Sequence, residues 1–114
     1  MEDCLFCRIA DGKIPSDKVY EDDRILAFRD INPQAPQHIL VIPKKHFDNL
    51  MQLKNKDSDL LIHIFEVITK IAEEQGFAVS GFRTVINTGK DGQQSVNHLH
   101  FHILAGRSLQ WPPG

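Results

Sequence analysis

His98, His100 and His102 alternate with Leu99, Phe101 and Ile103. Such strict alternation is the period of a half-buried strand. It places three imidazoles, half of the six histidines in the chain, on one face and the apolar side chains on the other. Three chemistries suit that face. The rings can simply be solvated. They can ligate a metal, because imidazole is a common ligand. A regular strand rises about 3.3 Å per residue, however, so His98 and His102 would stand roughly 13 Å apart and could not share one ion. The third chemistry is nucleophilic. A neutral imidazole nitrogen can attack phosphorus while the other ring N–H is held by an acceptor, and a neighbouring histidine handles a proton or binds the phosphate. A second constellation is Cys4-x-x-Cys7, a spacing used for metal binding or redox work. No thioredoxin-like strand precedes it, which leaves a metal pair or two free thiols.

The elements that must carry these residues are few. Cys4 to Ala10 reads as a short helix burying Leu5, Phe6 and Ile9 and ending at Asp11-Gly12. Lys18 to Glu21 and Ile25 to Arg29 read as a strand hairpin around Asp22-Asp23. Pro33 and Pro36 keep Asp30 to Gln37 irregular, and His38 to Ile42 is an apolar strand stopped by Pro43. Leu60 to Ala72 carries apolar residues at helical spacing, with Asp57 or Ser58 to cap its start and Gly76 to end it. His63 lies beside that stripe and reads as structural or solvated. Phe82 to Asn87 is a further strand, Thr88 to Gln93 a turn or small loop, and the histidine strand follows. Backbone N–H groups near Gln93 to Ser95 can cradle an anion, and the Ser95 hydroxyl can donate to one. This order, with hairpin-length connections, predicts an α+β domain built on an antiparallel sheet over residues 1–114.

Composition bounds the partners. The chain has 114 residues, 41% hydrophobic and 25% charged, with a net charge of -2. That suits one soluble domain and provides no broad basic surface for nucleic acid. No apolar run approaches a membrane span and no signal-peptide pattern is read, so a cytoplasmic location is expected.

His98-Leu99-His100-Phe101-His102-Ile103-Leu104 resembles the signature of the histidine triad (HIT) family. Asp30-Ile31, Gln34 to His38, Val41 to His46, Asn87, Ser95 and the final Trp111-Pro112-Pro113-Gly114 make the chain similar to its Hint branch, the purine nucleoside phosphoramidases. The resemblance covers nearly the whole sequence. It implies the HIT fold: a five-stranded antiparallel sheet with one long and one short helix, two copies forming one continuous sheet in a homodimer. It further implies cleavage of the P–N bond of a purine nucleoside 5′-phosphoramidate through a nucleotidyl-histidine on His100, with no cofactor needed for the chemical step. By the same resemblance His98, His102, Ser95 and His38 support the chemistry. Asp30 binds the ribose, and Asn87, Gln93, Gln94, Ser95 and His102 lie at the phosphate. Ile31, Phe6, Ile9, Phe28 and Leu40 are candidates for the purine slot, and Trp111 packs near the partner's site. Gln93 departs from the glycine frequent at this place, which bears on phosphate approach and leaving-group tolerance. Some relatives resemble this chain in a Cys-x-x-Cys that, with two histidines, makes a structural zinc site; here the set would be Cys4, Cys7, His46 and His98. The alternatives carried forward are a nucleotide-binding interaction module, a dinucleotide or acyl-nucleotide hydrolase, and a zinc-dependent hydrolase.

Overall fold

The computed structural model describes residues 3–114. In chain order it has α1 (Leu5–Ala10), β1 (Lys18–Glu21), β2 (Ile25–Arg29), β3 (Gln37–Pro43), α2 (Ser58–Glu74), β4 (Phe82–Val85) and β5 (Phe101–Ala105), with two single 3-10 turns before α2. The strands form one antiparallel sheet in the order β1-β2-β3-β5-β4. The α+β fold expected from the sequence is therefore present, and β4 lies on an open edge. Among the described residues no helix is long and apolar enough to cross a membrane.

Both faces of the sheet's centre are covered, which is why β2 and β3 are apolar without alternation. On one face Ile25, Ala27, Ile39, Val41, Leu99, Phe101 and Ile103 pack with Ile64, Val67, Ile68, Ile71 and Ala72 of α2. On the other, Leu26, Phe28, Leu40 and Ile42 pack with Phe6, Cys7 and Ile9 of α1. Full burial of one such aliphatic side chain contributes about 1.5–3 kcal/mol, so α2 is held by its stripe rather than by local propensity. Gly76 ends α2 at φ +83, as its place in the sequence predicts.

Several boundaries differ from the sequence reading. Cys4 caps α1 rather than opening it, its Sγ accepting the Cys7 N–H at 3.3 Å. The helix starts one residue later, and its buried face takes Cys7 in place of Leu5, which is 41% exposed. α2 gains a half-turn at each end. Asp57 precedes it without capping it; its carboxylate instead accepts the Lys54 N–H at 2.9 Å in the preceding turn. β4 stops at Val85, short of Asn87. The largest correction concerns the histidines. β5 begins at Phe101, so His98 and His100 precede the strand. The last β3–β5 pair is Val41↔Phe101. Beyond it Pro43 has no N–H to offer. Its carbonyl is taken by the His98 ring at 2.8 Å, while the Leu99 N–H donates to Phe47 O at 2.7 Å.

His63 is structural: its Nε2 lies 2.6 Å from the Asp22 carboxylate, which also accepts from the Tyr20 hydroxyl and the N–H groups of Arg24 and Ile25. This network ties α2 to the β1–β2 turn.

Candidate functional site

The three histidines occupy three different environments. His100 is 4% exposed, and its Nδ1 lies 2.6 Å from the carbonyl oxygen of His98. A carbonyl only accepts, so Nδ1 carries the hydrogen and the lone pair sits on Nε2. Phe6 meets the ring edge-on at 5.1 Å. Burial holds the His100 pKa below the usual imidazole value, opposed in part by the bond to His98 O. The ring is thus neutral at pH 7, as a nucleophile requires.

His102 has its tautomer set from behind. The Gln34 backbone N–H donates to His38 Nδ1 at 3.0 Å, so His38 carries its hydrogen on Nε2. That N–H donates to His102 Nδ1 at 2.9 Å, which leaves His102 protonated on Nε2. Burial first, then neighbouring His100 and His38, lowers the His102 pKa to about 4. Burial also lowers that of His38, against the pull of Asp30. Asp30 Oδ2 stands 3.5 Å from His38 Nε2, and its Oδ1 accepts the Asn32 N–H at 2.8 Å. Asp30, His38 and His102 are close enough together for a metal by distance alone. The hydrogen on His38 Nε2 makes the group a hydrogen-bonded chain instead.

His100 and His102 open onto a cleft of about 300 Å³. Phe6, Ile9, Phe28 and Leu40 form its apolar side, and Asp30, Ile31 and Ser95 line it as well. Ile14, Pro15 and Val96 also line it, and nothing in the sequence singles them out; each is an ordinary apolar residue whose place depends on the path of the loop after α1 or before His98. Ile31 is fully exposed at the rim.

The loop before the histidines is held by the other expected residues. Asn87 Nδ2 donates to Gly92 O at 2.7 Å. The N–H groups of Gln93 and Gln94 donate to Lys90 O and Gly89 O at 3.1 and 3.0 Å. The Gln94 side chain donates to Asp48 O and Val96 O and accepts the Gly89 N–H. Gln93 sits at φ +61, a left-handed conformation that favours glycine. Asn87, Gln93 and Gln94 thus shape the approach to Ser95 without lining the cleft in this chain. Trp111 is 81% exposed and does not line it either.

His98 turns away from the cleft. Its Nδ1 lies 3.3 Å from Cys4 Sγ, 3.4 Å from Cys7 Sγ and 3.2 Å from His46 Nδ1, and Cys7 Sγ lies 3.3 Å from His46 Nδ1. The outer ring nitrogens are both occupied: His98 Nε2 donates to Pro43 O at 2.8 Å and His46 Nε2 to Asp48 Oδ1 at 2.7 Å. Both inward nitrogens therefore present lone pairs to one another in a buried space, an arrangement a cation between them relieves. A tetrahedron with metal–nitrogen arms of about 2.0–2.1 Å and metal–sulfur arms of about 2.3 Å has ligand atoms roughly 3.3–3.8 Å apart. The donor set, two thiols and two imidazoles, suits zinc. Asp48, the outer partner of His46, is a residue that sequence reasoning misses. Its only signal is a carboxylate two residues beyond a candidate ligand.

A model of the family described as "scavenger mRNA decapping enzyme C-term binding" matches residues 3–110. An uncharacterised HIT-like protein of Synechococcus elongatus is 53% identical over 113 residues, 99% of this chain and 98% of its own. A HIT family hydrolase from Legionella pneumophila superposes with a TM-score of 0.96 at 49% identity, covering 98% of this chain and 100% of that one. A histidine triad protein from Clostridium difficile gives 0.94 at 59% identity, covering 96% of both chains.

Proposed function

Because the chain belongs to the histidine triad (HIT) family, we propose that it is a nucleotide hydrolase that cleaves the P–N bond of purine nucleoside 5′-phosphoramidates. The observation that carries the reading is the His100 ring: Nδ1–H is bound to His98 O, and the free lone pair on Nε2 belongs to a ring lining a cleft with an apolar side. Similarity to the Legionella pneumophila hydrolase supports it. The apolar side takes the purine and Asp30 accepts from the ribose hydroxyls.

In the first step His100 Nε2 attacks the α-phosphorus. A nitrogen–phosphorus bond forms to His100, and the bond to the leaving amine breaks with its electron pair going to that amine. The Ser95 hydroxyl and the Nε2–H of His102 are the donors at hand for the amine and the phosphate oxygens. Water then attacks the nucleotidyl-histidine, the monophosphate departs, and His100 is regenerated. Two displacements replace one harder step.

In the same reading Cys4, Cys7, His46 and His98 hold a structural zinc ion, which supplies cross-linking of α1 to the segment before β5 rather than reaction chemistry. Metal analysis should return about one equivalent per chain; well under half would count against it. The homodimer is formed at the open edge of β4, where Phe82 of the strand and Phe65 and Ile62 of α2 are exposed, and Trp111 reaches the partner. Sedimentation equilibrium returning a monomer would overturn that part. The test of the activity is turnover of adenosine 5′-phosphoramidate by wild type and His100→Ala. AMP release by the wild type, lost by orders of magnitude in the variant, is expected. AMP binding without turnover would instead favour an interaction module.

A further inference from the structure

The Cys/His cluster and the cleft are built from the same pieces. α1 is six residues long, too short to persist alone. Its cap Cys4 and its Cys7 face the cluster, while Phe6 and Ile9 line the cleft. Phe6 meets the rings of both His98 and His100 edge-on, at 6.0 and 5.1 Å. His98 makes a second connection. Its ring belongs to the cluster and its carbonyl oxygen fixes the His100 tautomer at 2.6 Å. Cys4 and His46 also border a depression of about 520 Å³ that shares Leu5, Ser95 and Val96 with the cleft.

We propose that the cluster is a control point for the cleft: a metal ion held by Cys4, Cys7, His46 and His98 and a nucleotide held against Phe6 and His100 strengthen each other's binding. Without the ion, α1 is anchored by the packing of Phe6, Cys7 and Ile9 and by the thiol contacts to His46 and His98, and the nucleotide must spend binding energy to order the wall of its own site. With the ion bound, that ordering is already done. Linkage makes the effect reciprocal, so nucleotide tightens metal binding by the same factor that metal tightens nucleotide binding. The inference rests on the reading that the cleft binds nucleotide.

The test uses the whole chain and AMP, and needs no turnover. AMP affinity is measured by calorimetry on zinc-loaded and chelator-stripped protein. Zinc affinity is measured by competition with a chromophoric chelator, with and without saturating AMP. The expected result is a gain in both within about 5- to 150-fold, with equal ratios. Hydrogen exchange reads the mechanism directly. The amides that close α1, Arg8 N–H to Cys4 O and Asp11 N–H to Cys7 O, should exchange faster on stripping and slow again on adding AMP, while α2 stays protected. Phe6→Ala, which removes the side chain touching both His98 and His100, should shrink the coupling. Equal AMP affinity with and without zinc overturns the linkage and leaves the nucleotide reading standing. No AMP binding to either form overturns both. Loss of α2 protection on stripping makes the metal a global stabiliser, and failure to take up zinc removes the control point; each overturns the proposal.

Discussion

Replacing His38 by Phe tests whether the tautomer of His102 is imposed from behind. The Phe ring is close to imidazole in size, so no large cavity opens beneath the sheet. Two hydrogen bonds disappear: Gln34 N–H to His38 Nδ1 at 3.0 Å and His38 Nε2–H to His102 Nδ1 at 2.9 Å. At about 0.5–1.5 kcal/mol net each, the variant should lose about 1–3 kcal/mol of stability. The second bond is also what favours the Nε2–H form of His102. Losing about 0.5–1.5 kcal/mol of preference, by the same scale, lowers the ratio of the productive to the unproductive tautomer by about 2- to 13-fold. Because the rate follows the productive fraction, this is an upper bound on the expected fall in kcat/KM, far smaller than for His100→Ala. The direct assay is long-range nitrogen–proton NMR of the His102 ring, which shows which nitrogen carries the hydrogen. Wild type should show Nε2–H alone and His38→Phe a mixture. His38→Gln, whose amide can donate to His102, should recover part of the rate. An unmixed His102 tautomer with undiminished turnover in His38→Phe would refute the relay. A loss equal to that of His100→Ala in a folded variant would mean His38 acts on the substrate itself.

Two further perturbations read other parts of the site. His38 and His102 are held below the ordinary imidazole pKa of 6.5, chiefly by burial, His102 to about 4. Between those values the unfolded chain binds protons that the folded chain does not, so stability is full above pH 6.5 and falls as pH drops toward 4, with a slope of at most about 1.4 kcal/mol per pH unit for each ring. The urea midpoint should therefore decline across this window and decline less steeply in His38→Phe; a flat profile in wild type would contradict the buried neutral rings. Gly92→Ala would place a Cβ 2.5 Å from Thr88 O and 2.8 Å from Thr88 N, both backbone atoms that cannot swing aside. The loop that Asn87 ties to Gly92 O must then move, carrying Ser95 with it, and kcat/KM should fall by up to about 100-fold with little change in melting temperature. Unchanged kinetics would show that this loop does not position the reacting groups.

What the sequence reveals follows from what is local. The stripe of Ile64, Val67, Ile68, Ile71 and Ala72 is periodic, and α2 forms where that period lies. The alternation from His98 to Ile103 correctly separates Leu99, Phe101 and Ile103, which enter the core under α2, from the histidines facing the opposite layer. The six-residue α1 shows the limit. Successive residues stand about 100° apart, so with Phe6 and Ile9 buried either Leu5 or Cys7 can complete the face, and the structure buries Cys7. That choice turns Cys7 toward His46 and His98.

The roles of the three histidines depend on distant partners. Had His98, His100 and His102 stood on one regular strand, the pleat would have given them equivalent settings at even spacing. The ladder breaks before Phe101 because β3 runs into Pro43, and the freed Pro43 carbonyl captures the His98 ring. With that ring committed, its inward nitrogen faces the thiols, and its main-chain oxygen receives the His100 N–H. His102, inside the strand opposite Leu40 and Val85, meets His38, whose own hydrogen is placed by the Gln34 backbone. One repeating pattern thus yields a ligand-type histidine, a ring with a free nucleophilic nitrogen and a proton-bearing partner, and the differentiation comes from a proline one strand away. A substitution that let the ladder run on through His100 would cost the site its chemistry without removing a single histidine.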